Sequence, residues 1–179
     1  MNYEDKVYKK SNLEHNDSIS SYDGWAAQQN PNVFETFHYF LHKTKPKRIV
    51  EIGTSLGGFT SFLNYTCKKL NLDCHVLSYD IISHPWYDDM RNSGVDLRIE
   101  NIFNGDYTEV KQEVIDFIQQ DGITIILCDG GSKIHEFNLL SKFMKSGDLL
   151  WLTIMMKIEK QLRETFTLKF GIGTKYQIQ

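Results

Sequence analysis

An open, doubly wound α/β sheet with an antiparallel hairpin at its C-terminal end is the fold this chain predicts. Apolar strand segments alternate with amphipathic helical segments four or five times at the spacing of βαβ units. The run Ile123-Thr124-Ile125-Ile126-Leu127 is apolar enough for a strand buried on both faces of a parallel sheet. A third run, Arg48-Ile49-Val50-Glu51-Ile52, passes through Gly53, Gly57 and Gly58 into a helical stretch. A strand that meets a helix through glycines forms a nucleotide-type pocket, which makes the sheet Rossmann-like.

The elements follow in order. Residues 1–20 are polar and read as a mobile or surface-draped segment, and residues 21–179 as one domain. Pro31 suits a helix start, and Val33, Phe34, Phe37, Phe40 and Leu41 recur at helical spacing until Thr44-Lys45-Pro46 ends the helix. The strand at residues 48–52 comes next, then a helix carrying Thr60, Phe62, Leu63, Tyr65 and Leu70. Residues 75–80 form a second strand ending in Asp80, and residues 81–93 read as irregular. Residues 95–99 are a third strand, Asn104-Gly105-Asp106 a turn, and residues 109–120 an amphipathic helix through Val110, Val114, Ile115 and Ile118. The strand at 123–127 leads into Cys128-Asp129-Gly130-Gly131, a helix over 133–144, a strand over 149–154 and a short helix over 157–165. Residues 166–170 and 175–178 pair across Gly171 to Thr174 as the terminal hairpin.

The totals bound the function. The chain has 179 residues, 41% hydrophobic and 24% charged, as in ordinary globular domains. A net charge of -3, from 20 basic and 23 acidic residues, disfavours a nonspecific nucleic-acid binder. The basic run Lys43 to Arg48 reads as a solvated loop ahead of a strand rather than as a binding patch. Three cysteines, Cys67, Cys74 and Cys128, form no disulfide framework and lack zinc-site spacing, which fits a reducing compartment. No apolar run reaches the roughly 20 residues of a membrane span, and the N-terminus has no signal-peptide pattern, so cytoplasm is the expected location. Oligomeric state is left open.

Ligands of such sheets bind at the C-terminal ends of the strands. Glu51, Asp80, Asp106 and Asp129 are acids at or just after four successive strand ends. Taken singly, each reads equally well as a cap or a loop acid, but together they mark one edge. An acid ending the second strand accepts from both hydroxyls of a ribose. Gly53, Gly57 and Gly58 do not reproduce the G-x-G-x-x-G of a pyrophosphate binder, and no G-K-[ST] follows. The pocket therefore favours a nucleoside whose other end is not phosphate, with a cationic head near Glu51, over a nicotinamide dinucleotide.

The stretches Val50-Glu51-Ile52-Gly53-Thr54-Ser55-Leu56-Gly57-Gly58, Leu77-Ser78-Tyr79-Asp80, Asn104-Gly105-Asp106 and Ile125-Ile126-Leu127-Cys128-Asp129 resemble the successive motifs of class I S-adenosylmethionine-dependent methyltransferases. The resemblance covers roughly residues 30–155 and is nearest to the cephalosporin hydroxylase-like and small-molecule O-methyltransferase branch, whose upstream tryptophan segment Trp25, Gln28 and Gln29 match. It implies a Rossmann-like methyltransferase sheet, S-adenosylmethionine as cofactor, and cofactor contacts at Glu51, Gly53, Thr54, Gly57, Asp80 and Asp106. It puts Asp129 at the reacting end, and the substrate is then a small hydroxylated molecule. In metal-dependent relatives a later acid pair joins the acid at Asp129 around Mg²⁺. Here residues 149–156 contain no carboxylate, so no metal ligands are assigned.

Asp129 and His135 are the candidate bases. His135 reads equally well as a surface histidine, and His75 as structural. His84, Pro85, Trp86 and Tyr87 after the second strand read as an acceptor pocket or lid, or as an apolar plug over the sheet end. The alternative to an enzyme is a noncatalytic binding or structural protein that keeps the methyltransferase fold.

Overall fold

The computed structural model describes residues 7–8, 20–30 and 32–152. The helix start at Pro31, the end of the last strand, the helix over 157–165 and the terminal hairpin lie outside the described residues.

Among the described residues, five parallel strands form the central sheet: β4 (Arg48–Ile52), β5 (His75–Asp80), β6 (Asp96–Ile99), β7 (Thr124–Cys128) and β8 (Leu149–Leu152), in the order β6-β5-β4-β7-β8. β4 and β7 are central, parallel neighbours, with Arg48 opposite Thr124 and Ile52 opposite Cys128. Every residue of both is buried, as their apolar runs require. The chain leaves β4 toward β5 and β6, then returns to the other side for β7 and β8, so the switch point lies between β4 and β7.

Side-chain alternation along the strands separates two cores. Ile49, Val76, Leu97, Ile125 and Leu127 meet α1 (Asn32–Thr44), α2 (Gly58–Lys69) and α3 (Tyr87–Asn92) through Phe34, Phe37, Phe59, Phe62 and Met90. Val50, Ile52, Leu77, Ile126 and Cys128 meet α4 (Gln112–Gln119) and α5 (Lys133–Leu140) through Val114, Phe117, Ile118, Leu139 and Leu140. Each large side chain so buried stabilises the fold by about 1.5–3 kcal/mol. The first core is aromatic: Phe34 meets Phe62 edge-on at 4.8 Å, and Phe37 meets Trp151 at 4.8 Å.

The structure corrects several expectations. Residues 20–26 form an antiparallel hairpin of β2 (Ser21–Tyr22) and β3 (Trp25–Ala26), and β1 (Val7–Tyr8) pairs with β2, so part of the N-terminal segment is strand. Residues 81–93 contain α3, with Tyr87 and Met90 buried one turn apart. The helix expected from residue 109 starts at Gln112. The Asn104 carboxamide oxygen accepts the N–H groups of Thr108 and Glu109, and Phe103 bridges Val110, so the intervening backbone is already bonded. α5 ends at Leu140 and tightens into a 3-10 turn, Ser141–Phe143, where the Ser141 hydroxyl donates back to the Asn138 carbonyl. Arg48, expected in a solvated run, is buried. Its guanidinium donates to the carbonyls of Gln120, Asp121 and Gly122 beyond α4 and its Nε to the Thr124 hydroxyl, which closes the sheet edge away from the site.

Candidate active site

The register of β4, β5 and β7 brings Gly53, Asp80 and Asp129 to one edge. Gly53 sits at φ +94°, and a Cβ there would lie 2.6 Å from the Asp129 carbonyl oxygen. The close approach is fixed by the Asp129 N–H, which donates to the Ile52 carbonyl at 3.0 Å, and by the Gly53 N–H, which donates to Tyr79 at 2.8 Å. Only glycine meets both demands.

Glu51 points into the α2 face of the sheet and is 1% exposed. One carboxylate oxygen accepts the Thr60 hydroxyl at 2.5 Å and the Ser78 hydroxyl at 2.6 Å. Ser78 has one proton to give, so the Thr54 hydroxyl, 2.7 Å away, donates to Ser78. Glu51 and Thr54 thus belong to one buried chain that locks the glycine turn onto β5 and α2. Burial raises the Glu51 carboxyl to about 7 against these two bonds, and Asp129 and Asp80 push the same way. Between pH 4.5 and about 7 the folded chain holds a proton that the unfolded chain has lost, so stability falls as pH rises through this window. The fall is on the order of 3 kcal/mol. Urea midpoints measured from pH 4.5 to 8 should show it. Glu51→Gln should flatten this part of the profile, and an unchanged slope in that variant would assign the dependence elsewhere.

Asp80 ends β5 with each oxygen on a backbone N–H: Ser55 at 2.6 Å and Ile82 at 2.9 Å. The Tyr87 hydroxyl donates to the Ser55 carbonyl at 2.5 Å and stands 3.4 Å from Asp80. Gly57, at φ +83°, packs against Met90, where a Cβ would meet the sulfur at 2.5 Å.

Asp129 is held from two sides. The Lys133 ammonium donates to its Oδ1 at 2.6 Å and its carbonyl at 2.8 Å, and the Gln29 carboxamide donates to its Oδ2. Burial raises the Asp129 carboxyl, and Lys133 and Gln29 oppose that rise. Beside it, Glu136 accepts the N–H groups of Gly130 at 3.1 Å and Ser132 at 3.0 Å, which caps the start of α5.

Asp106 and His135 lie apart from this cluster. Asp106 is exposed and accepts from Thr108 within its own turn. His135 is exposed, meets the Ser132 hydroxyl at 2.8 Å and stands 5.6 Å from the Tyr107 ring. Tyr107, which follows Asp106 in the chain, is the ring beside His135. The sequence reading missed Lys133, whose i,i+4 spacing from Asp129 was the available signal. It also missed the hydroxyls of Thr60, Ser78 and Tyr87. In the sequence Gln29 stands out only as part of the tryptophan segment.

That segment crosses the mouth of the site. Trp25 and Ala26 lie against Gly58, where a Cβ would meet the Trp25 carbonyl at 2.3 Å. Gln28 accepts the Ser55 hydroxyl at 2.8 Å, and Gln29 reaches Asp129. Among the described residues, no three His, Cys, Asp or Glu side chains converge as a metal site, and no helix is long and apolar enough to cross a membrane.

The FtsJ-like methyltransferase family matches residues 31–170. Among solved structures, cmcI in its Mg-SAM form is similar at 20% identity and a TM-score of 0.54, over 79% of this chain and 60% of that one. Its SAH form is similar at 20% identity and a TM-score of 0.52, over 79% of this chain and 64% of that one. A Plasmodium falciparum structure described as a putative protein-L-isoaspartate O-methyltransferase, in complex with S-adenosyl-L-homocysteine, is similar at 12% identity and a TM-score of 0.51, over 83% of this chain and 71% of that one. The chain spans less than two thirds of the cmcI chains it matches. No curated protein matches in sequence. These likenesses establish the fold, and the sheet order accords with it.

Proposed function

Since the chain belongs to the FtsJ-like methyltransferase family, we propose that it transfers a methyl group from S-adenosylmethionine to a hydroxyl of a small molecule. The observation that carries this reading is Asp129, a largely buried carboxylate at the switch point, whose backbone abuts the glycine turn and whose side chain is fixed by Lys133 and Gln29.

The strand-end residues fit the donor. Each Asp80 oxygen spends one bond on a backbone N–H, and a carboxylate has about four acceptor sites. Capacity remains for two ribose hydroxyls. The turn from Gly53 to Gly57 brings backbone close to the same place, and Asp106, in its own exposed turn, is the candidate contact to the adenine. Glu51 and Thr54 support the turn from beneath rather than from the open side. When bound, S-adenosylmethionine supplies a methyl group on a sulfonium, whose leaving thioether needs no proton.

The chain's own residues then have two tasks. They align acceptor and donor at near-attack distance, and they take the acceptor's proton. Asp129 takes that proton in this reading. Lys133 and Gln29 hold its carboxylate in one orientation, and burial makes it a stronger base than a solvated aspartate. His135 is the second candidate. Cytoplasm is the proposed location, in keeping with the free thiols of Cys67, Cys74 and Cys128.

Transfer of labelled methyl to a panel of small alcohols and phenols tests the reading. Activity is expected with EDTA present. Loss on chelation that Mg²⁺ restores would require a metal site, and no transfer to any hydroxyl would overturn the reaction. Asp80→Ala should weaken S-adenosylmethionine binding by about tenfold or more in calorimetry, because a charge-assisted acceptor is lost. Unchanged affinity would remove Asp80 from the donor site.

A further inference from the structure

Between the β2–β3 hairpin and α3 lies a cleft of about 400 Å³ lined by Gly24, Trp25, Ala26, Leu56, Trp86 and Asp89. Its size is that of a small-molecule site. We propose that this cleft recognises an organic cation, the ammonium-bearing end of the methyl acceptor. The word acceptor rests on the function proposed above. The cation site rests on the cleft alone.

Its chemistry is one-sided. Two indoles, Trp25 and Trp86, stand at 71° with centroids 5.7 Å apart. Indole is the ring with the strongest attraction for a cation over its face. Asp89 is exposed and is the one charged residue of the lining among the described residues. Its neighbour Asp88 is neutralised by Arg91 at 2.8 Å, whereas the Asp89 carboxylate has no hydrogen-bond or ion-pair partner among the described residues. Among the described residues, no lysine or arginine lines the cleft. Two indoles, one of them with a face covered by His84, and an unspent negative charge beside an apolar floor favour a cation over a neutral or anionic guest.

Trp86 supplies an independent observation. Its Nε1 is buried without an acceptor, whereas a buried indole N–H ordinarily finds one. A phenylalanine would fill the same space without that unpaired donor. His84 stacks on Trp86 at 4.7 Å and 12°, which fixes the ring plane. The ring is thus held at a cost, in a fixed pose, where its π surface is useful.

The cleft also communicates with the reacting edge. Leu56 belongs to the glycine turn, and Ala26 is followed three residues later by Gln29, which bonds Asp129. Three residues of backbone span at most about 10 Å. One small molecule can therefore place a cation in the cleft and a hydroxyl at Asp129.

Choline and its neutral isostere 3,3-dimethylbutan-1-ol are the probes. Each is titrated into the full chain and followed by calorimetry and by the indole N–H resonances. Choline should bind at least about tenfold more tightly than the isostere and shift the Trp25 and Trp86 resonances more than that of Trp151. Asp89→Asn, an exposed substitution that leaves the fold intact, should weaken choline about fivefold or more and leave the affinity for S-adenosylhomocysteine unchanged. Equal binding of the two probes, binding of neither, or choline binding that Asp89→Asn does not alter would each overturn the proposal. Failure of methyl transfer with choline still bound in the cleft would instead overturn the functional reading and leave the cation site standing.

Discussion

Replacing Asp129 with asparagine should lower kcat for methyl transfer by about 100- to 10,000-fold, the usual contribution of a positioned base. The variant is well suited to separate chemistry from structure. Asparagine can still accept from Lys133 through its carbonyl oxygen, and Gln29 can turn its amide to accept from the new NH₂. The fold and donor affinity should therefore persist while the proton acceptor is lost. In the native chain, burial raises the Asp129 carboxyl above its ordinary 3.8, and a base works only when ionised. The rate should then fall as pH drops through that raised value. In Asp129→Asn this acid limb should vanish together with most of the activity. Full activity in the variant would make Asp129 a structural group. If His135→Ala is the inactive variant instead, the base is His135.

The largest effect on stability is expected at Gly53. In Gly53→Ala the new methyl group would meet the Asp129 carbonyl oxygen at 2.6 Å, the Asp129 carbonyl carbon at 2.8 Å and the Gly130 Cα at 2.9 Å, all backbone, while the residue is held at φ +94°. No flexible side chain can give way. The two penalties together should exceed about 2–3 kcal/mol. Gly24→Ala is the internal control, at φ +86° with nothing within 4 Å of the added carbon. It carries the backbone penalty alone, about 1 kcal/mol. Thermal melts of the two variants should separate by several degrees. Equal melting would mean that β4 and β7 can part at their ends without loss.

Much of this architecture was legible in the chain. The fully buried strands β4 and β7 announce themselves as unbroken apolar runs, and Phe34, Phe37 and Leu41 mark the inner face of α1. Other features were written there in signals of a different kind. Asp23-Gly24, both at left-handed φ, is a two-residue hairpin turn between Tyr22 and Trp25, and turn chemistry rather than periodicity encodes it. The six residues of α3 are too few for a helical period to stand out. The delayed start of α4 depends on where the Asn104 side chain finds its partners, which no hydrophobic pattern reports. The site divides in the same way. Asp80 and Asp129 follow from strand ends. The inward turn of Glu51 follows from alternation along β4, which places it among Ile49, Ile125 and Leu127, where a carboxyl must have hydroxyl partners. The grip of Gln29 on Asp129 spans 100 positions and has no local signature.

That last contact has a consequence for how the molecule comes into being. Closing so long a loop costs chain entropy before any contact repays it, so the pairing of Gln29 with Asp129 belongs to the late steps of folding. During synthesis the segment at Gln28 and Gln29 leaves the ribosome long before its partner exists, and its carboxamides stay bonded to water until then. The segment over the mouth of the site is therefore expected to assemble late and to open early when stability is lowered. A donor that binds only the assembled mouth would act as a clamp on the N-terminal strap. Its binding would show as slower hydrogen exchange at residues 25–29 before any change at the central strands.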